Sequence, residues 1–137
     1  MSGLLNDDRY CFACGENNPI GMKLKFTVTE EGLETKYVFP KEFQGYRGVA
    51  HGGLITLLLD EIVVNLPWLK YKKPVVSADL RVKLKKRLMT GEPVTARAVI
   101  MEERSRAFKV RGEVVRDSDN ELIAEAEVLC VKVKLEE

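Results

Sequence analysis

The sequence predicts an α+β fold in which one long central helix is wrapped by a curved antiparallel sheet of five to six strands. Three observations carry this expectation. The elements run in the order two strands, one helix, four strands. The links between strands are short and hairpin-like, which favours antiparallel pairing over crossovers. The helix is apolar on nearly every side, and a helix of that kind is best buried by a sheet curving around it.

Each element has its own signal. Met22 to Thr29 and Leu33 to Phe39 alternate apolar and polar residues around the polar turn Glu30-Glu31-Gly32, and Pro40 closes the second strand. Lys41 to Ala50 reads as a loop with Gly45 and Gly48 as hinges. From His51 to about Leu66 apolar residues recur at helical spacing, with Leu54, Leu58 and Ile62 on one stripe beside Ile55, Leu59 and Val63. Pro67 is expected to end the helix. In the next strand Leu80, Val82 and Leu84 face one way, and Arg81, Lys83, Lys85 and Arg87 the other. Val94 to Glu103, Phe108 to Arg116 and Leu122 to Val133 complete the set, with Asp117-Ser118-Asp119-Asn120 as a turn.

Composition narrows the function classes. The chain has 137 residues, which fits a single domain over 1–137. Residues 1–15 read as an N-terminal extension, loosely ordered or draped. Hydrophobic residues make up 45% and charged residues 31%, values of an ordinary globular domain. A net charge of +1 gives no case for nucleic acid or a membrane surface as partner. The start MSGLLNDDRY lacks the basic and apolar character of a signal peptide. Leu54 to Leu69 is interrupted by Asp60, Glu61, Asn65 and Pro67, which argues against a bilayer span. Three cysteines, an odd number, suit a reducing interior, and a cytoplasmic location is expected.

Two features of the helix are out of place in a purely structural element. Gly52 and Gly53 weaken its start but leave backbone N–H groups uncovered, at the positive end of the helix dipole. Such donors suit a carbonyl oxygen that gains charge during reaction. Asp60 falls among Leu59, Ile62 and other apolar residues, where an unpaired carboxylate is costly. Burial there should raise its pKa from the usual 3.9 or so and make it a better base at neutral pH. The structural alternatives are close packing at the glycines, a solvent-facing Asp60-Glu61 pair, and His51 as an ordinary helix-start residue. Glu61 lies about 100° around the helix from Asp60, so the two cannot share one small site.

His51-Gly52-Gly53, followed after six residues by Asp60, resembles the helix motif of hotdog-fold acyl-CoA thioesterases of the phenylacetate-type branch. Phe43-Gln44-Gly45, Gly48, and Cys11-Phe12-Ala13-Cys14-Gly15 with Asn18-Pro19 and Gly21 resemble that branch as well, so the likeness runs from Cys11 to Val133. The resemblance implies a helix wrapped by an antiparallel sheet, a dimer or dimer of dimers with sites at the subunit interface, and an acyl-CoA substrate. It implies no cofactor and no metal. Asp60 would correspond to the nucleophile or general base, and Gly52 with Gly53 to the oxyanion donors. His51 would orient that corner. Ser77 falls near a hydroxyl residue that in relatives positions the attacking water. Many relatives carry Asn six residues before the His; here that position is Gly45, with Gln44 beside it as the candidate substitute.

Geometry adds a point independent of the family. Gly52 and Asp60 are eight residues apart, or roughly 12 Å along one helix, whereas reacting groups must come within about 3–3.5 Å of one centre. If both act, Asp60 must meet the glycine amides of a second copy, which calls for a two-fold dimer. Lys70, Lys72, Lys73, Arg81, Lys83, Lys85, Lys86 and Arg87 offer cations for CoA phosphates. Equally they can form a solvated face balanced by Glu102, Glu103, Glu125 and Glu127.

Other readings remain in view. Cys11 and Cys14 form a CxxC, but a tetrahedral zinc site wants four ligands, and only Cys130 and His51 are left among Cys and His. Packing is the default there, with an intersubunit metal or a disulfide as alternatives. A hotdog hydratase would want a His soon after the Asp, and none follows Asp60. A non-catalytic acyl-CoA sensor on the same fold is the alternative from another class; it would keep the pocket and have no use for Asp60.

Overall fold

The computed structural model describes residues 7–134. Its elements are β1 (Thr27–Val28), β2 (Leu33–Val38), α1 (Gly52–Tyr71), β3 (Val75–Leu84), β4 (Pro93–Glu103), β5 (Ala107–Arg116) and β6 (Leu122–Lys132), with a single 3₁₀ turn at Lys41–Phe43. Six strands form one antiparallel sheet in the order β1-β2-β4-β5-β6-β3, the expected helix-and-sheet arrangement.

Strict alternation in β5 buries Phe108, Val110 and Val114 on the helix side. Gly112 shares that face, and a Cβ there would stand 2.8 Å from Val63 Cγ1, so the glycine lets α1 approach the sheet closely. Leu58, Leu59, Ile62, Val63 and Leu66 of α1 are fully buried against this surface. By length and composition α1 would also suit a bilayer. Its apolar residues are instead spent on the protein's own core.

The helix outlasts the expected stop. Pro67 lies inside α1 and is buried, and the helix ends four residues later. Lys72 adopts a left-handed conformation (φ 58°) and its N–H bonds the Pro67 and Trp68 carbonyls. Proline forfeits one hydrogen bond near the helix end, and burial of its ring helps to offset that loss.

The first predicted strand shrinks to Thr27–Val28. Lys23 takes a positive φ of 55°, which breaks the extended run. Met22 and Leu24 instead donate to the carbonyls of Phe12 and Ala13, at 2.8 and 2.9 Å. Residues 11–15 of the expected extension are draped on the core: Ala13 is 1% exposed, and its neighbours Met22 and Leu24 join the core. Residues 1–6 of that expectation lie outside the described residues.

At the other edge, β3 is paired on one side only, to β6. Leu80, Val82 and Leu84 stand opposite Val128, Ala126 and Ala124, which are buried on the helix side. The three therefore extend the core face past the helix, yet Leu84 is 55% and Leu80 37% exposed.

Candidate active site

His51 precedes α1 in an extended conformation (φ −64°, ψ 127°) and caps it. Its Nδ1 accepts the N–H of Gly53 at 2.9 Å. The next two amides, of Leu54 and Ile55, both donate to the His51 carbonyl at 3.0 Å. Gly52 is left: among the described residues its N–H donates to nothing. The structure thus divides the two glycines. Gly53 has its donor occupied by the cap, and Gly52 presents its amide at the tip, at the positive end of the dipole.

Gly52 opens into a cavity of about 280 Å³ whose wall includes Leu84, Lys85, Lys86 and Arg87. A Cβ on Gly52 would come 2.9 Å from Leu84 Cδ1. The preceding loop is tied back to this wall. Ala50 donates to the Leu88 carbonyl and Thr90 to that of Gly48, and Gln44 Oε1 accepts the Gly48 N–H at 2.9 Å. Gln44 therefore holds the loop closed. Gly45 lies beside the His51 ring, where an added Cβ would find ordinary contact at 3.5 Å.

Eight residues further on, Asp60 is half-buried, and its Oδ1 is enclosed with no hydrogen-bond partner among the described residues. An enclosed carboxylate oxygen without a donor is costly. Its charge acts across to β6: the Cys130 thiol is pushed up to about 12, by burial first and by Asp60 second. Ser77 of β3 stands opposite Cys130 in the β3–β6 register, so Ser77 and Asp60 flank the same thiol.

Glu61 points elsewhere, as the helical turn requires. It faces the N-terminal segment, and Asn65 Nδ2 donates to its Oε2 at 3.1 Å. Burial raises the Glu61 carboxyl above its usual range, the adjacent Asp60 charge adds to this, and hydrogen bonds from Asn65 and Cys14 draw it partly back. Cys14 is raised to about 12, chiefly by burial and then by Glu61. The sequence reading did not bring Glu61 to the CxxC, because only Cys and His were weighed as partners there.

Most of the candidate phosphate-binding cations have protein partners. Lys70 donates to the Thr29 and Glu30 carbonyls, Lys73 pairs with Glu103 at 2.8 Å, and Lys85 with Glu125 at 3.6 Å. Lys86 lies 3.9 Å from Glu121, and Arg81 3.9 Å from Asp79. Among the described residues, Lys83 and Arg87 have no acidic group within ion-pair distance, and Arg87 lines the cavity at Gly52.

One long helix in the grip of a six-stranded antiparallel sheet, with an unused glycine amide at its tip and a half-buried acid midway, defines a hotdog-fold protein. The profile of the thioesterase superfamily matches residues 47–123, more than half of the chain, and the chain belongs to that superfamily. Solved structures agree on the fold. A phenylacetic acid degradation-related protein of Ralstonia eutropha JMP134 is 21% identical, covering 80% of this chain and 85% of its own, with a TM-score of 0.71. Zebrafish thioesterase superfamily member 2 is 16% identical over 84% and 88%, with a TM-score of 0.74. A Streptococcus pneumoniae TIGR4 thioesterase protein, solved with coenzyme A, is 12% identical over 83% and 88%, also at 0.74. No curated protein matches the chain.

Proposed function

We propose that the protein hydrolyses acyl-CoA thioesters at two equivalent sites in a homodimer, each built from Asp60 of one protomer and the Gly52 amide of the other. The observation that carries this reading is the pairing of two groups unused among the described residues: an enclosed Asp60 Oδ1 without a donor and a helix-tip N–H without an acceptor. They lie too far apart on one helix to share a substrate, and two antiparallel helices would bring them together. The half-exposed apolar row Leu80, Val82 and Leu84 suits contact with a second copy.

In the proposed reaction the thioester oxygen accepts from Gly52 N–H, with His51 fixing the tip. Asp60 takes a proton from a water whose oxygen attacks the carbonyl carbon, with Ser77 placed to orient that water. The C–S bond then breaks and the departing thiolate takes up the proton. Direct attack by Asp60, giving an anhydride that water opens, uses the same two groups. Arg87, beside the cavity, suits a phosphate of the CoA moiety, and Gln44 holds the loop that borders it. A dimer of dimers is compatible with this pairing, and the free cysteines suit a reducing, cytoplasmic setting.

The test is a panel of aryl, short-chain and medium-chain acyl-CoA esters with detection of free thiol, run on wild type and Asp60→Asn. Turnover that collapses in the variant supports the reading. Equal rates would turn it toward Glu61, and CoA binding without turnover by either protein toward a sensor.

A further inference from the structure

We infer that Cys11, Cys14 and Glu61 form a binding site for a thiophilic divalent cation of the Zn²⁺ class, clamping the N-terminal segment onto α1. The three ligating atoms lie within 4.8 Å of one another. Around a tetrahedral zinc with bonds of about 2.0–2.3 Å, neighbouring ligand atoms stand roughly 3.3–3.8 Å apart, so a contraction of about 1 Å closes the shell.

Three further observations favour a cation. First, the thiols are set on a preformed turn. Gly15 N–H bonds the Cys11 carbonyl at 2.8 Å, and a Cβ at Gly15 would collide with Cys11 N at 2.4 Å. The Phe12 and Ala13 carbonyls are held by Met22 and Leu24, while Asn18 Nδ2 donates to the Tyr10 carbonyl at 3.1 Å. Second, the cavity beside the cluster, about 430 Å³, carries the side chains of Asp7, Cys11, Cys14 and Glu61 on otherwise apolar or neutral walls that include Leu24 and Trp68. Among the described residues no Lys or Arg lines it. Two sulfur donors and a carboxylate thus converge on one partly enclosed space, the donor geometry that a shared cation uses. Third, Cys11 and Cys14 are both free, so two thiols stand beside the Glu61 carboxylate.

Two thiolates and a carboxylate are a donor set for zinc rather than for magnesium or calcium, which favour all-oxygen shells. A water would complete the four-coordinate shell. The cation would tie residues 7–24 to the turn of α1 that also carries Asp60, about 100° around the helix from it. This inference does not depend on the proposed thioesterase reaction.

The experiment uses the full chain, chelator-stripped and with all three cysteines reduced, titrated with Co²⁺ while thiolate-to-cobalt charge-transfer absorption is followed. Saturation at one Co²⁺ per chain, bleached by one equivalent of Zn²⁺, is expected. Cys11→Ser, Cys14→Ser and Glu61→Gln should each weaken binding by at least the roughly 10–100-fold that loss of an outer-shell partner costs. Asp60→Asn, which removes no ligand and only a neighbouring charge, should bind within a few-fold of wild type, which separates this inference from the fate of the catalytic proposal. Zn²⁺ should raise the melting temperature of wild type and not of Cys14→Ser. Absence of the charge-transfer band at one equivalent with reduced thiols would overturn the inference, as would unchanged affinity in Glu61→Gln.

Discussion

Asp60 stands eight residues along α1 from Gly52, which puts an enclosed carboxylate oxygen and a tip amide, both without a partner among the described residues, roughly 12 Å apart on one rod. Under the proposed reading, this spacing would make each protomer half of two sites. It also makes the roles of the two residues separable by substitution.

Asp60→Asn should leave the fold intact, because Oδ1 has no hydrogen bond to lose. Removing an enclosed charge is expected to be neutral or mildly stabilising. Hydrolysis should fall by about a hundredfold or more, in the range of general-base losses. Melting curves and thiol-release rates on the same preparations check both halves.

Gly52→Pro deletes the tip amide without disturbing the helix. Proline is favoured at the first helical position, and His51 already has the extended ψ of 127° that a following proline requires. The Leu84 side chain, 2.9 Å from a Cβ there, must move aside. The expected loss in kcat is about 10²–10³-fold, as for one oxyanion donor. Circular dichroism should show a native helix content.

His51→Ala removes the cap on Gly53. A lost N-cap bond costs about 1 kcal/mol, which for a chain of this size lowers Tm by roughly 3–5 °C. Activity should fall by more than that loss of stability explains, since the tip amide is then held less firmly. Comparing Tm with kcat separates the two effects.

Cys130 gives a pH dependence. Its thiol is raised from 9.0 to about 12 in the folded protein. A raised folded value means that the stabilisation is complete below the unfolded value and is lost as pH rises toward the folded one. Urea midpoints should therefore fall between about pH 9 and 12, and Cys130→Ala should flatten part of that slope.

Much of this was legible in the chain itself, and the remainder has identifiable causes. Periodicity revealed α1 and the four long strands, because Leu58, Leu59, Ile62 and the alternating residues of β5 must be buried. Pro67 misled, because tertiary burial offset the break that proline usually makes. The first strand is far shorter than the expected Met22 to Thr29, because the positive φ of Lys23 leaves no mark in a hydrophobic pattern. The Gly52-Asp60 pair could be picked out by residue type and spacing. That Gly53 would give its amide to His51 depended on a side-chain rotamer, and the meeting of Glu61 with Cys14 on a contact some fifty residues apart.

The most direct measurement mixes Asp60→Asn and Gly52→Pro protomers, each inactive alone. In a mixed dimer one site loses both groups and the other keeps Asp60 from one chain and Gly52 from its partner. Random reassortment should restore about a quarter of the wild-type rate. A mixture as inactive as its components, with mixed dimers demonstrated by mass, would contradict a site shared between protomers.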